Sequence, residues 1–207
     1  MSALSPHLPS GHSPIAAVGI GCSAGGLDAL RHILPGLPAG LPVPVVVVAH
    51  MGPSPDNPVL EAIGRHSGLP VVEAKERGKA VAGFVHVCPP DYHLLVEADH
   101  GFALSVDPKV NNSRPSIDVF LCAAAESWGS GLLAVLLTGA SGDGAAGMAA
   151  VKAAGGLCIV QDPAGAHAPT MPRSAIDAGG ADWVAPLDEI AGLIVSLCPP
   201  PRLEATS

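Results

Sequence analysis

Apolar runs alternate with helical patterns along most of the chain. Runs rich in Val, Ile and Leu predict strands over residues 15–21, 43–50, 70–74, 132–137, 157–161 and 182–185. Segments bounded by Pro, Ser or Gly predict helices over residues 25–34, 58–67, 116–128, 144–154, 172–178 and 187–197. Strand–helix–strand alternation favours right-handed crossovers, so we predict an α/β fold around a mostly parallel sheet.

The middle of the chain interrupts this alternation. Residues 83–87, 92–97 and 101–106 read as three short strands, and the turns at 89–91 and 99–101 leave no room for helices between them. Strands joined so tightly pair antiparallel. We therefore predict an antiparallel hairpin insertion near residues 83–106.

Composition is typical of a globular protein with one large core. Of 207 residues, 48% are hydrophobic and 14% charged, and no linker divides the chain. We predict a single domain over residues 15–197, with flexible tails at 1–14 and 198–207. The net charge of −8, without a basic stripe, argues against nucleic acid as a partner.

Cysteine usage and the N-terminus bear on the compartment. The five cysteines are scattered and odd in number, which favours reduced thiols in the cytoplasm over a disulfide framework. The first fourteen residues lack the basic and apolar regions of a signal peptide. No apolar run approaches the roughly 18 residues that membrane insertion requires.

Three polar residues stand just past three predicted strands. Ser23 lies in the G-x-S-x-G of residues 21–25, His50 ends the second strand, and Asp143 lies in the Gly-rich loop of residues 138–144. The loops at the carboxyl ends of parallel strands converge on one crevice. A nucleophile, a base and an acid at that edge are what Ser-His-Asp chemistry requires.

Ser23 is the candidate nucleophile. A sharp strand–turn–helix exposes its hydroxyl, and Ala24 and Gly25 are small enough for the crowded turn. The Ala24 amide and the helix N-terminus would face an oxyanion. The alternative is that Ser23 only caps the helix. Cys22 is a rival nucleophile, but alternation along a strand points Cys22 and Ser23 to different sides, which favours Ser23.

His50 and Asp143 each have a structural alternative. His50 would be the general base, or else a partly buried histidine with satisfied hydrogen bonds. Asp143 would orient the imidazole, or else cap the helix over residues 144–154. The other eight histidines are predicted to lie mostly on the surface.

Two other chemistries match parts of the chain. Gly19, Gly21 and Ala24 fit a relaxed dinucleotide-binding fingerprint, but the second strand ends in His50 rather than the acid that a ribose needs. A metal site would use His86, Cys88 and His93, for which no fourth ligand stands at a usual spacing. No cofactor or metal is predicted.

The order Ser23, His50, Asp143 and several surrounding segments resemble the catalytic domain of CheB-type protein-glutamate methylesterases of bacterial chemotaxis. The resemblance covers residues 15–197. The matching segments are residues 19–26 (GIGCSAGG), 49–51 (AHM), 112–118 (NSRPSID), 137–139 (LTG), 142–147 (GDGAAG), 161–162 (QD) and 171–173 (MPR).

The resemblance implies a doubly wound fold and a cytoplasmic signal-transduction enzyme. Its reaction would be hydrolysis of glutamate γ-methyl esters on the cytoplasmic helices of methylated chemoreceptors, often with deamidation of glutamines. Ser23 would be the nucleophile, His50 the base and later the acid, and Asp143 the orienting carboxylate. Arg114 and Arg173, in loops expected near the crevice, would supply local positive charge, Arg173 as part of the substrate pocket.

Three positions depart from the family pattern. Ala24 replaces a Thr, Ala49 a Gln, and Ala140 a Met at a residue thought to shape the oxyanion pocket. We expect an active enzyme with altered rate or substrate choice. The alternative is a catalytically weakened module of the same fold that binds receptors or a signalling partner.

Regulation is a further expectation from the resemblance. Usual members carry a receiver domain of on the order of 100 residues ahead of the catalytic domain, whereas fourteen residues precede Ile15 here. We expect that the protein is not controlled by its own phosphorylation. It would be constitutive or gated by a separate regulatory partner.

Overall fold

A seven-stranded parallel sheet forms the centre of the structure, a computed structural model that describes residues 8–200. The strands are β1 (Ala17–Cys22), β2 (Val45–Ala49), β3 (Val71–Glu73), β4 (Val85–Val87), β5 (His93–Val96), β6 (Phe102–Ser105), β7 (Leu132–Leu136), β8 (Leu157–Gln161) and β9 (Trp183–Ala185). The order across the main sheet is β3-β4-β2-β1-β7-β8-β9, and β5 and β6 form a separate antiparallel pair. The predicted α/β, doubly wound fold is confirmed.

Helices cover both faces of the sheet. They are α1 (Gly26–Ile33), α2 (Pro58–Gly64), α3 (Ile117–Trp128), α4 (Ala145–Ala153), α5 (Thr170–Asp177) and α6 (Leu187–Leu197). Apolar residues of α1, α2 and α6 share one core with the sheet. Those of α3, α4 and α5 share a second core, to which β5 and β6 contribute. The predicted helices are all present. The bounds of α6 are as predicted, and the other helices differ at one or both ends by up to a few residues.

The prediction for residues 83–87 was wrong in one respect. They do not belong to an antiparallel hairpin, because β4 pairs in parallel with both β2 and β3 inside the main sheet. All three residues of β4 are buried, as expected for a strand covered on both faces. The eleven residues between β3 and β4 are long enough to return the chain for a parallel pairing without a helix. The antiparallel insertion is confined to β5 and β6.

The glycines of β1 allow α3 to lie close to the sheet. A Cβ at Gly19 would come within 3.0 Å of the Phe120 ring, and one at Gly21 within 2.5 Å of an Ile117 methyl carbon. Any larger residue in β1 at these points would push α3 away. These glycines therefore serve helix packing, which is a different use from the close approach of a dinucleotide phosphate.

The strand order reverses at β1, and this positions the site. From β1 the chain moves outward through β2, then returns to the other side of β1 as β7. A crevice opens outside the carboxyl ends of strands at such a switch point. Within residues 8–200, no helix has both the length and the apolar character needed to cross a membrane.

The predicted tails lie partly outside the described residues, which exclude 1–7 and 201–207. Between residues 8 and 14, Leu8 packs against the core on the α1 side. The His12 ring nitrogen Nε2 lies 3.0 Å from the carbonyl oxygen of Gly155. The domain boundaries stay a prediction.

Candidate active site

Backbone pairing past the strand ends brings Ser23 and His50 side by side. Cys22 pairs with Ala49 in the parallel register, and the His50 amide donates to the Cys22 carbonyl at 3.0 Å. The Ser23 amide donates to the carbonyl of Thr138, just past β7, at 2.9 Å. Neighbouring strands lie about 4.8 Å apart. The first residues beyond β1, β2 and β7 therefore form one continuous edge.

Asp143 and His50 form a close pair at this edge. His50 Nε2 lies 2.6 Å from Asp143 Oδ2, and the two residues are 93 positions apart in the chain. The imidazole is 12% exposed and the carboxylate is fully buried. A carboxylate only accepts hydrogen bonds, so Nε2 carries the proton and Nδ1 is left as the basic nitrogen. The pair has the geometry that orients an imidazole for proton transfer.

Four other donors hold the Asp143 carboxylate. Oδ2 accepts from the Ile117 amide at 2.7 Å, and Oδ1 accepts from the Ser116 hydroxyl at 2.9 Å, Asn111 Nδ2 at 2.8 Å and the Asp118 amide at 3.2 Å. Burial alone would raise the pKa of Asp143, but the bonds from His50 and these groups together lower it well below its usual value. Asp143 is therefore held as an anion.

The capping alternative for Asp143 has an unexpected outcome. The N-cap of α4 is Gly144, in the left-handed region at φ 97°, which has no side chain of its own to cap the helix. The Asp143 carboxylate instead binds the first amides of α3. A helix N-terminus favours a negative charge, so α3 itself stabilises the ionised carboxylate. Asp143 is both the partner of His50 and a cap, but for a different helix from the predicted one.

Ser23 is half-buried at the crevice, and its hydroxyl makes no hydrogen bond to any described residue. The neighbour of the basic nitrogen His50 Nδ1 is Ser113 Oγ, at 3.3 Å. Hydrogen bonds of catalytic groups are often long or unformed without substrate. The geometry leaves the Ser23 hydroxyl free to approach a substrate.

Backbone amides next to Ser23 are unoccupied. Within the part of the chain that the structure describes, the amides of Ala24, Gly25 and Ala140 donate no hydrogen bond. The Thr138 hydroxyl donates to the Ala24 carbonyl at 2.9 Å and accepts from the Ala168 amide at 2.8 Å, which fixes the turn. Free amides on a fixed loop are the groups that stabilise an oxyanion.

Gly25 is required by the shape of this turn. Its φ is +78°, and a Cβ there would come within 2.6 Å of His167 Cβ. Glycine adopts this left-handed conformation without the steric cost that other residues meet. The small residue after Ser23 and Ala24 thus allows the sharp reversal from β1 into α1.

Cys22 is unsuited to be the nucleophile. Its side chain is fully buried on the α1 side, against Gly26. Burial raises the pKa of its thiol to about 12, so no thiolate forms near neutral pH.

The residues of the rival metal site are not assembled. His86 Nε2 accepts from the Val81 amide at 3.0 Å, while His93 lies between the Pro108 carbonyl and the Ser116 amide. No group of three or more His, Cys, Asp or Glu among residues 8–200 is arranged to hold a metal ion. Both histidines are buried rather than on the surface, which corrects the expectation for them.

The two arginines expected near the crevice have different positions. Arg114 binds the Asp91 carboxylate at 2.8 Å and the Val106 carbonyl at 2.7 Å, which ties it to the segments before β5 and after β6. Arg173 is exposed in the first turn of α5, inside the helix that the sequence predicts over residues 172–178 and not in a loop. Its place in a substrate pocket stays a prediction.

Sequence reasoning missed four residues around the Asp143–His50 pair. They are Asn111, Ser113, Ser116 and Asp118, of which Ser113 lies against His50 and the others bind Asp143. The last three stand in the segment 112–118 that carries the family resemblance, which was the available signal. Residues 112–115 have no strand or helix pattern, and the helix predicted from residue 116 does not show which distant group its first turn faces.

The sequence is similar to known proteins over most of its length. The CheB methylesterase family model matches residues 18–194. A protein from Leptospira interrogans is 44% identical over 181 residues, and the match covers 87% of this chain and 94% of that protein. A protein from Symbiobacterium thermophilum, named protein-glutamate methylesterase/protein-glutamine glutaminase, is 40% identical, with 87% of this chain and 50% of that protein covered.

A solved structure is also similar. The crystal structure of the Thermotoga maritima CheB methylesterase catalytic domain matches with a TM-score of 0.85 and 38% identity. The match covers 89% of this chain and all of that domain. Fold and sequence therefore agree on the same family.

Proposed function

The chain belongs to the CheB methylesterase family, and on that premise we propose that it hydrolyses glutamate γ-methyl esters on the cytoplasmic helices of chemoreceptors. The products are glutamate and methanol, and the reaction takes place in the cytoplasm. One observation carries the proposal. The buried, ionised Asp143 holds His50 at 2.6 Å, at a strand end that adjoins the free hydroxyl of Ser23.

The first half-reaction forms an ester on the enzyme. Ser23 Oγ attacks the ester carbonyl carbon while His50 Nδ1 takes the hydroxyl proton. Asp143 stabilises the resulting imidazolium through Nε2. The carbonyl oxygen becomes an oxyanion that faces the free amides of Ala24 and Gly25. The C–O bond to the methoxy group then breaks, and His50 returns the proton so that methanol leaves.

The second half-reaction restores the enzyme. A water molecule loses a proton to His50 Nδ1 and attacks the glutamyl ester of Ser23. The same amides stabilise the second oxyanion. The bond to Ser23 Oγ breaks, the serine recovers its proton from His50, and the glutamate γ-carboxylic acid is released and loses its proton to solvent.

Methanol release tests the proposal. A radiolabelled, methylated receptor cytoplasmic fragment is incubated with the wild type and with Ser23→Ala and His50→Ala. We expect the wild type to release methanol and both variants to lose at least about a thousandfold in kcat, as in other serine hydrolases. Matched controls are Ser196→Ala in α6 and His66→Ala after α2, whose side chains contact backbone carbonyls of α6 and α2 and which should keep full activity.

Two outcomes would contradict the proposal. Persistent release by Ser23→Ala would assign the reaction to another nucleophile. No release by a folded wild type across several receptor fragments would favour a binding module of the same fold.

Deamidation is a second candidate activity of the same site. Relatives from Symbiobacterium thermophilum and Thermotoga maritima carry protein-glutamine glutaminase in their names. A glutamine side chain differs from the methyl ester only in the leaving group, to which His50 would donate a proton to release ammonia. Ammonia release from an unmodified receptor fragment, abolished by Ser23→Ala, would establish it, and release unaffected by that change would rule this site out.

A further inference from the structure

A second carboxylate, Asp118, lies beside Asp143. Asp118 Oδ1 accepts from the amides of Gly144 and Gly147 at 2.9 and 2.7 Å, at the start of α4. Asp143, which precedes α4, in turn binds the amides at the start of α3, including that of Asp118. Asp118, in the first turn of α3, therefore caps α4, and Asp143, just before α4, caps α3. This reciprocal capping fixes the distance between the two helix starts.

Asn111 joins the two carboxylates. Its Nδ2 donates to Asp118 Oδ2 at 2.8 Å and to Asp143 Oδ1 at 2.8 Å. An amide nitrogen has two hydrogens, so both bonds form at once. One side chain thus bridges two carboxylates that otherwise repel each other.

The backbone presents Asn111 to the carboxylates through a tight turn. Val110 and Ser113 pair with each other on either side of Asn111 and Asn112, whose φ values are 51° and 61°. Asparagine tolerates this left-handed region better than most residues. The same turn carries Ser113, whose hydroxyl lies 3.3 Å from His50 Nδ1. The turn therefore contacts both members of the Asp–His pair.

The charges of the Asp118 and Asp143 carboxylates explain why a donor between them matters. Burial raises the pKa of Asp118 most strongly, the amides of Gly147 and Gly144 oppose this, and the charge of Asp143 raises it further. Without the Asn111 amide, Asp143 Oδ1 would keep its bonds from the Ser116 hydroxyl and the Asp118 amide, but no side-chain donor would lie between the two carboxylates. Their repulsion would then act on the Asp143 carboxylate and shift its alignment with His50.

We propose that Asn111 and Asp118 are positioning residues for the hydrolytic reaction. They act through Asp143 by fixing its carboxylate against His50 Nε2, and neither touches the substrate. The inference rests on the proposed function for its kinetic consequences, while the positioning itself can be measured without substrate.

The kinetic test uses two substitutions in the same turn. Asn111→Gly removes the bridge and keeps a residue suited to the left-handed backbone. Asn112→Gly is the control, because it makes the same substitution in the same turn. The Asn112 side chain is exposed and makes no hydrogen bond to a described residue. We expect Asn111→Gly to lower kcat about tenfold or more with less than a twofold change in KM. Asn112→Gly should stay within twofold of the wild type in both constants. Equal losses in the two variants would overturn the inference.

A double-mutant cycle shows whether the effect passes through Asp143. In an Asp143→Asn background, Asn111→Gly should cost less than a further twofold in kcat, because its target is already lost. Asp118→Asn also disrupts the bridge, because its new amide nitrogen would face the Asn111 donor. It should likewise cost less than a further twofold in kcat in the Asp143→Asn background. A full tenfold loss in the Asp143→Asn background would contradict positioning through Asp143.

A spectroscopic test needs no substrate. In protein with 15N-labelled histidine, the His50 Nε2 proton bonded to Asp143 gives a resonance that His50→Gln abolishes. We expect Asn111→Gly and Asp118→Asn to shift this resonance or broaden it by faster exchange, and Asn112→Gly to leave it in place. An unchanged resonance in the first two variants would overturn the inference. If the wild type released no methanol, the proposed function would fail while this result still decided the positioning.

Discussion

Asp143 receives hydrogen bonds from five groups, three of them side chains and two of them backbone amides of α3. Such a carboxylate cannot turn away from His50 without breaking several bonds at once. The residues around Ser23 differ in this respect, since Ala24 and Ala140 are both exposed at the crevice. Their small side chains leave space where larger ones would contact a substrate.

The exposed alanines permit a direct test of the altered-rate hypothesis. The double substitution Ala24→Thr with Ala140→Met adds a hydroxyl and a thioether at positions open to solvent. We expect kcat/KM for a methylated receptor fragment to rise about tenfold, because one added transition-state contact contributes roughly 1–3 kcal/mol. Ala39→Thr, at an exposed position in the loop before β2, is the matched control. No gain over the wild type would show that the small residues are not what limits the rate.

At the scale of elements, strand β4 buries a titratable histidine, His86, inside the sheet. His86 is buried in the middle of this strand, its ring 5.2 Å between centroids from that of Phe102. Its Nε2 accepts from the Val81 amide, so the ring is neutral. Burial lowers the pKa of His86 below its usual value. Protonation would place a charge among aromatic rings and remove the acceptor for Val81.

The sign of the resulting pH dependence follows from that shift. The folded state binds the His86 proton less well than the unfolded chain, whose histidine pKa is about 6.5. The stabilising contribution is therefore complete above that pH and is lost as the pH falls below it, towards the folded-state pKa. Each unit of pKa difference corresponds to about 1.4 kcal/mol of unfolding free energy.

Urea unfolding at several pH values tests this contribution. We expect the free energy of unfolding of the wild type to fall more steeply between about pH 7 and pH 5 than that of His86→Gln, which cannot titrate. His66→Gln, at an exposed position, should keep the steeper wild-type dependence. Parallel curves for the wild type and His86→Gln would contradict the assignment.

At the scale of the whole molecule, the sheet topology assembles the site, and the net charge affects how a substrate approaches it. The switch point between β1 and β7 collects the site from strands far apart in the chain. The net charge of −8 governs the approach of a substrate instead. A negative protein repels acidic peptides at long range, and salt screens that repulsion over about 10 Å at 0.1 M.

Salt dependence should therefore vary with substrate charge. For a glutamate-methyl-ester peptide flanked by Glu, we expect kcat/KM to rise about two- to tenfold as ionic strength goes from roughly 10 to 150 mM. The same peptide flanked by Gln should show little change, and one flanked by Lys should show a decrease. Identical salt profiles for the three peptides would mean that local charges at the crevice outweigh the net charge.

The sequence alone determined the α/β class, most helices and strands, and the positions of Ser23, His50 and Asp143 at strand ends. These depend on local patterns, because an apolar run and the residues that end it are contiguous in the chain. Leu187–Leu197 and Leu157–Gln161 were predicted with the bounds that the structure has. Such features need no knowledge of distant partners.

Only the tertiary structure decided which distant groups meet. It placed β4 in the parallel sheet, buried His86 and His93, and turned Asp143 towards the start of α3. It also brought Asn111 to both carboxylates and determined that His50 uses Nε2 for Asp143. These outcomes depend on packing between segments that are remote in sequence, and no local periodicity encodes the contact between such segments.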